Sequence, residues 1–277
     1  MLISAPNLFH SLHDDALIII DARFSLADPT QGRRDYLARH LPGAQYVDLD
    51  ADLSGPKSDP RLGRHPLPGA AQFSASLARL GITPESRVVV YDQSDGAMAA
   101  CRFWFLLRMA GHRNVSVLDG GLAHWSASGF PLTASEAAAL PAYYPVRFEG
   151  NLLVDAFDLQ SLMAGTDAVL LDARAAERFR GDVEPLDKKA GHIPGAINRP
   201  YSLNCENGRF KSPERLREEF APLVQDKKHI VLSCGSGVTA CHNLLALQLA
   251  GFAGIRLFAP GWSGWLADDG NPVATGP

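Results

Sequence analysis

The chain has 277 residues, a formal net charge of −4, and 46% hydrophobic against 20% charged content, the balance of a folded globular protein and not of a disordered one. That length accommodates two domains of ordinary size, each with its own core. The mild acidity, without a long basic block, argues against a nucleic-acid partner, and no apolar run is long enough to span a bilayer.

Asp14 and Asp15 precede a short apolar run at 16–20, so the start of the chain lacks the basic and apolar regions of a secretory leader. Four cysteines with neither paired nor metal-ligand spacing point to a reducing compartment, the cytoplasm, with no metal and no other cofactor implied. A helical separation at about 1.5 Å per residue sets Cys234 and Cys241 roughly 10 Å apart, too far for a disulfide.

In chain order, residues 17–23 read as a buried strand closing on an acid and a base, Asp21 and Arg23. A short helix and the turn His40-Leu41-Pro42-Gly43-Ala44 follow, then a second strand at 45–49. A Gly/Pro/Ser/Asp-rich loop covers 54–68. The apolar spacing predicts a helix over 70–80, closed by Gly81, a strand over 87–92 and a helix over 99–110, stopped by Gly111. A strand at 115–118 and a helix opening at Asp119-Gly120-Gly121 complete the series. Residues 134–145, rich in Ala, Pro, Ser and Tyr, read as a linker.

The second half repeats this order. Asp172-Ala173-Arg174 matches Asp21-Ala22-Arg23, and Gly191-His192-Ile193-Pro194-Gly195-Ala196 matches 39–44. The strand leading to Cys234 matches the strand leading to Asp92, and Pro260-Gly261-Trp262-Ser263-Gly264-Trp265 matches the turn at 120–125. Landmarks repeated in one order indicate a duplicated α/β domain, each copy a mostly parallel sheet flanked by helices. The expected division is 1–135, a linker at 136–150, and 151–277. In such sheets ligands bind at the carboxyl ends of the strands.

Cys234 stands at such an end. The stretch Ile230-Val231-Leu232-Ser233-Cys234-Gly235-Ser236-Gly237-Val238-Thr239 reads as strand, tight loop and helix start. Loop N–H groups turned inward make an anion-binding nest, and the helix start adds unpaired donors, so Cys234 is expected to titrate low and act as a nucleophile. Cys101, Cys205 and Cys241 lack that context and read as structural. The first copy has Asp92 at the equivalent place, with no nucleophile, where it is expected to cap its own loop.

These paired Asp-Ala-Arg strands, the His-Leu-Pro-Gly-Ala and His-Ile-Pro-Gly-Ala turns and the Cys loop together resemble the two-domain rhodanese family over nearly the whole chain. The Cys234-Gly-Ser-Gly-Val-Thr239 loop is similar to that of its 3-mercaptopyruvate sulfurtransferase branch; thiosulfate-preferring members usually carry basic residues in place of Gly235 and Ser236. The resemblance implies sulfur transfer through a Cys234 persulfide, stabilised by the loop 235–239 (Gly235, Gly237, Val238 and Thr239), to a thiol, a thioredoxin-like reductant or cyanide. It implies an Asp–His pair from the first domain, and the local patterns Val47-Asp48-Leu49-Asp50 and Arg64-His65-Pro66 nominate Asp50 and His65, working with Ser236 as a proton shuttle. It also implies Arg178, in Glu177-Arg178-Phe179, as the group that binds the substrate carboxylate, with Arg180 a solvated neighbour. This chain departs from the branch in three places. The second arginine that usually follows is absent, and Lys188 or Lys189 is the expected substitute. Met98 stands where a tyrosine is usual, and Ala259-Pro260-Gly261-Trp262 replaces Asp-Gly-Ser-Trp.

Two alternatives use the same thiol. One is thiosulfate sulfurtransfer and the other a non-catalytic persulfide carrier, which would need no proton shuttle. A cysteine phosphatase would need an arginine where Ala240 stands.

Overall fold

The computed structural model describes residues 1–277. Strand β1 (Leu2–Ile3), helix α1 (Ala5–His10), β2 (Leu17–Asp21), α2 (Gln31–Ala38), β3 (Ala44–Tyr46), α3 (Ala70–Arg79), β4 (Arg87–Tyr91), α4 (Ala100–Met109), β5 (Val115–Leu118) and α5 (Gly121–Ala127) make the first series. The second comprises α6 (Ala156–Met163), β6 (Ala168–Asp172), α7 (Ala176–Arg180), β7 (Ile197–Asn198), the short β8 (Cys205–Glu206) and β9 (Arg209–Phe210), α8 (Pro213–Val224), β10 (His229–Ser233), α9 (Ala240–Leu249), β11 (Ile255–Leu257) and α10 (Gly261–Trp265). No helix is long and apolar enough to cross a membrane.

In the first series the strands lie in the order β1-β5-β4-β2-β3, every neighbouring pair parallel. The β-branched runs Leu-Ile-Ile-Ile and Val-Val-Val place β2 and β4 centrally, because a parallel sheet covered on both faces needs apolar residues on both. Ile19, Val89, Tyr91, Leu118, Leu122 and Trp125 are buried in one cluster. In the second series the order is β11-β10-β6-β7, again wholly parallel, with Leu170, Val231, Phe258, Trp262 and Trp265 in the core. Both halves are thus the expected α/β architecture.

The division between them differs from the expected linear one. Met1–Gly55, Pro68–Glu149 and Asn207–Phe210 form one compact unit; Pro56–Leu67, Gly150–Glu206 and Lys211–Pro277 form the other. The stretch at 134–149 has no regular structure, as a linker should, yet it is strapped to the first unit. Ser74 Oγ donates to the Tyr144 carbonyl, the Ala142 N–H to Ala78 O at 3.0 Å and the Glu149 N–H to Met109 O at 2.8 Å. Residues 56–67 hold one short 3-10 turn, Pro60–Leu62, and no strand. They pack on α10, where the Arg64 N–H donates to Ser263 Oγ at 3.0 Å, and so they join the second unit. This loop was expected in the first domain; its polar, Gly/Pro-rich sequence carries no periodicity that says what it packs against.

The duplication extends to buried polar detail. Arg23 binds Asp21 through both carboxylate oxygens and reaches the Arg39 carbonyl at 2.7 Å; Arg174 does the same with Asp172 and the Gly191 carbonyl at 2.8 Å. His40 stacks on Tyr36 at 4.0 Å between ring centroids and His192 on Phe179 at 3.7 Å. Both turn histidines are therefore structural. Trp125 and Trp265 each donate their indole N–H, at 2.9 Å, to a proline carbonyl, Pro131 and Pro272.

Candidate active site

The parallel pairing of β10 with β6 runs to Ser233 opposite Asp172, and the next residue is Cys234, buried to 1% exposure at the carboxyl end of the sheet. Its carbonyl accepts from the Trp262 N–H at 2.8 Å, and that of Gly235 from the Ser263 N–H at 2.9 Å, so the loop rests on the start of α10. This fit explains the sequence Pro260-Gly261. Gly261 has φ +61°, and a Cβ there would lie 2.6 Å from Cys234 O and 2.8 Å from Ser236 N. On the loop side, Gly237 has φ +73° and its Cβ position is 2.3 Å from the Ala259 carbonyl oxygen. The departure at 259–262 is thus a close-packed support for the nucleophile loop.

With its two ends held, the loop curls and leaves donors unspent. The N–H groups of Gly235, Ser236, Val238 and Thr239 pair with no group of the protein. Thr239 is the residue before α9 and its side chain makes no capping bond; Val238 is buried. The same turn in the first unit is closed from within. Asp92 is buried, and its carboxylate accepts from the N–H groups of Ser94 at 3.2 Å, Gly96 at 2.9 Å and Met98 at 3.1 Å. Burial, reinforced by Asp95, pushes its pKa up to about 6 against the pull of those N–H groups. Met98 contributes a backbone donor to that cap, in the place where the family has a tyrosine.

Ser236 and His65 meet. Both are buried, and the Ser236 hydroxyl lies 2.8 Å from His65 Nδ1. His65 lies in the 56–67 segment, which packs with the second compact unit. Asp50 sits half-buried in the turn after β3, in the first unit, with its N–H bonded to Asp48 Oδ1 at 2.8 Å.

The anion-binding side of the loop holds two arginines. A Cβ on Gly235 would meet Arg64 Nη2 at 3.0 Å and Arg178 Nη1 and Nη2 at 3.7 and 3.8 Å, so two guanidinium groups border the side-chain space that glycine leaves open. Arg178 Nη2 pairs with Glu184 Oε1 at 2.6 Å and Asp187 Oδ2 at 3.2 Å, while Arg64 Nη1 pairs with Asp187 Oδ1. Glu184 organises this turn: its Oε1 also accepts the N–H groups of Leu186 at 3.0 Å and Asp187 at 3.1 Å. Burial raises its pKa, but Arg178 and those two N–H groups outweigh it and hold the carboxyl below its ordinary value.

The lysines expected to replace the second arginine are elsewhere. Lys188 Nζ pairs with Asp269 at 2.8 Å on an exposed surface, and at Lys189 it is the backbone carbonyl that is engaged, accepting the Trp262 indole N–H at 2.9 Å. A charged side chain next to the turn in sequence points to solvent, while Arg64, remote in sequence, is brought in by the 56–67 segment. Arg180 is solvated with Asp182, as expected. Arg64, Glu184 and Asp187 escaped the sequence reading; the only signal for Arg64 was its adjacency to His65. None of the four cysteines forms a disulfide, and Cys241 Sγ contacts Gly237 O at 3.4 Å, bracing the loop.

The rhodanese-like domain model matches residues 5–128 and 155–268. Over 279 residues the chain is 46% identical to a probable 3-mercaptopyruvate sulfurtransferase of Pseudomonas aeruginosa, covering 99% of this chain and 98% of that protein. It is 38% identical to a putative thiosulfate sulfurtransferase, SseB, of Mycobacterium tuberculosis, covering 100% and 97%. The crystal structure of the 3-mercaptopyruvate sulfotransferase SseA from Escherichia coli superposes with a TM-score of 0.81 at 33% identity, over 94% of this chain and 98% of that one. The chain belongs to the rhodanese family and carries two rhodanese-like domains in tandem. The second of them bears the Cys234 loop.

Proposed function

We propose that the protein is a sulfurtransferase that takes sulfur from 3-mercaptopyruvate onto Cys234, releases pyruvate, and passes the sulfur to a small thiol, a thioredoxin-like reductant or cyanide. The observation that carries this reading is the Ser236–His65 contact at 2.8 Å beside Cys234. In the first half-reaction the Cys234 thiolate attacks the donor sulfur. An S–S bond forms, the C–S bond breaks, and its electron pair leaves as the pyruvate enolate. The donor's thiol proton then has to reach the enolate carbon, which yields pyruvate and the Cys234 persulfide anion. Ser236 and His65 supply that path, and Asp50 is the candidate to hold the His65 tautomer. The unspent N–H groups of Gly235, Ser236, Val238 and Thr239 stabilise the outer sulfur of the persulfide, and Arg178 takes the donor carboxylate. In the second half-reaction the acceptor attacks that outer sulfur and returns Cys234 as thiolate. Thiosulfate carries no proton to move, and its transfer would leave the shuttle idle. Four cysteines held as thiols, without a disulfide, fit a reducing, cytoplasmic setting.

The test is steady-state transfer to cyanide with 3-mercaptopyruvate and thiosulfate as competing donors. A kcat/KM ratio strongly favouring mercaptopyruvate, abolished by Cys234→Ser, is the expected result. A ratio favouring thiosulfate would overturn the choice of donor, and turnover unaffected by Cys234→Ser would overturn the enzyme reading.

A further inference from the structure

Arg64 and Arg178 come from distant parts of the sequence to one point beside the nucleophile loop. Each uses one guanidinium nitrogen on Asp187, Arg64 Nη1 on Oδ1 and Arg178 Nη2 on Oδ2. Each turns another toward Gly235: Arg64 Nη2 and Arg178 Nη1 stand 3.0 and 3.7 Å from the Cβ position there. The arrangement is held before any donor arrives. Arg64 is fixed through its N–H on Ser263, Asp187 through its N–H on Glu184, and the Asp187 side chain is only 5% exposed against 29% for Arg64. Two guanidiniums and two carboxylates, Asp187 and Glu184, leave the cluster without net charge while keeping directed N–H donors beside Cys234.

We infer that the Arg64–Asp187 pair determines which anion the site accepts. Arg64 joins Arg178 in a two-guanidinium seat for the donor's head group, and Asp187 both positions Arg64 and cancels its charge, so the seat favours a singly charged carboxylate over a doubly charged donor such as thiosulfate. This rests on the sulfurtransferase reading and refines it. A guanidinium fork gives a carboxylate parallel hydrogen bonds whatever the net charge of the cluster. A second negative charge on the ligand meets no surplus positive charge in a partly dehydrated site, where Coulomb terms are weakly screened. The cations that thiosulfate-preferring loops carry in place of Gly235 and Ser236 are here supplied from outside the loop, together with a neutralising acid.

Four variants of the full chain test this, Arg64→Gln, Arg64→Lys, Asp187→Asn and Lys188→Gln, with two readouts. One is kinetics with each donor. The other is the rate of Cys234 alkylation by anionic iodoacetate relative to neutral iodoacetamide, read on the Cys234 peptide by mass spectrometry. Loss of a charge-assisted contact in Arg64→Gln raises KM for mercaptopyruvate roughly tenfold to a hundredfold while kcat changes far less. The same variant lowers the iodoacetate-to-iodoacetamide ratio. Arg64→Lys keeps that ratio near wild type but not the KM, because a point charge replaces a fork. Asp187→Asn raises the alkylation ratio and moves the kcat/KM preference about tenfold toward thiosulfate. Lys188→Gln changes neither readout. Wild-type KM and alkylation ratio in Arg64→Gln, or an unchanged donor preference in Asp187→Asn, would overturn the inference. If the wild-type protein used neither donor, the sulfurtransferase reading would fail, and the alkylation ratios would still decide the role of Arg64 and Asp187.

Discussion

A hydroxyl 2.8 Å from an imidazole nitrogen makes a path for one proton, and the two candidate donors differ in whether a proton has to travel. Transfer from mercaptopyruvate moves the thiol proton to carbon; transfer from thiosulfate releases sulfite with no proton moved. Ser236→Ala and His65→Asn should therefore lower kcat/KM for mercaptopyruvate by about 10²–10⁴, the usual worth of general acid–base catalysis, and leave thiosulfate turnover within a few-fold. Equal losses on both donors, measured in parallel, would assign the pair a purely structural role. Of these residues, Cys234 stood out in the sequence because loop chemistry is local: glycines, a thiol and a helix start lie within a few positions, whereas a role for Ser236 came through family resemblance. His65 was reached only through family resemblance, and Arg64 not at all, since nothing local tells a solvated arginine from one folded back over a glycine.

The loops after β4 and β10 are one element put to two uses. In the second unit the N–H groups of Gly235, Ser236, Val238 and Thr239 make no bond within the protein; in the first, the Asp92 carboxylate fills the nest. The expectation that Asp92 caps its loop is met, and the cap has a pH signature. A carboxyl near 3.9 in the unfolded chain and about 6 when folded binds its proton more tightly in the folded state. Its stabilising contribution is therefore complete below about pH 4 and is lost as pH rises toward 6, on the order of 3 kcal/mol in all. In urea titrations, the stability of wild type relative to Asp92→Asn should fall by about that amount from pH 4 to pH 7. A difference independent of pH would mean that Asp92 is already ionised at pH 4. Elements of this kind were well predicted where β-branched runs or helical spacing marked them, as in β2, β4, α3 and α4. What the 56–67 segment packs against was not legible, because it lacks both signals.

Across the whole molecule, the duplication is recorded less in the helices than in buried polar joints. The Asp21–Arg23 and Asp172–Arg174 pairs each tie the end of a central strand to the turn that carries a stacked histidine. Removing one partner strands a buried carboxylate, so Arg23→Met and Arg174→Met should each cost about 3–5 kcal/mol by denaturant unfolding. A loss below ~1 kcal/mol in either would show that the carboxylate is solvated or takes up a proton instead. The repeat was visible from the Asp-Ala-Arg and Pro-Gly-Ala landmarks, since these joints tolerate few residue types. The route of the chain between the two copies was not, because the contacts of 134–149, such as His112 with the Tyr144 hydroxyl and Phe73 stacked on Phe148, join residues far apart in sequence with no periodic pattern to announce them.

The placement of residues 56–67 has a consequence for how this protein can be divided. Cleavage between Glu149 and Gly150 yields a C-terminal fragment with the thiol, Ser236 and Arg178 but without His65 and Arg64. No single cut delivers the second unit whole, because it is an assembly of three stretches of one polypeptide, 56–67, 150–206 and 211–277. Gene fission at the natural repeat boundary would part Cys234 from His65, the proposed nucleophile from its proposed proton carrier.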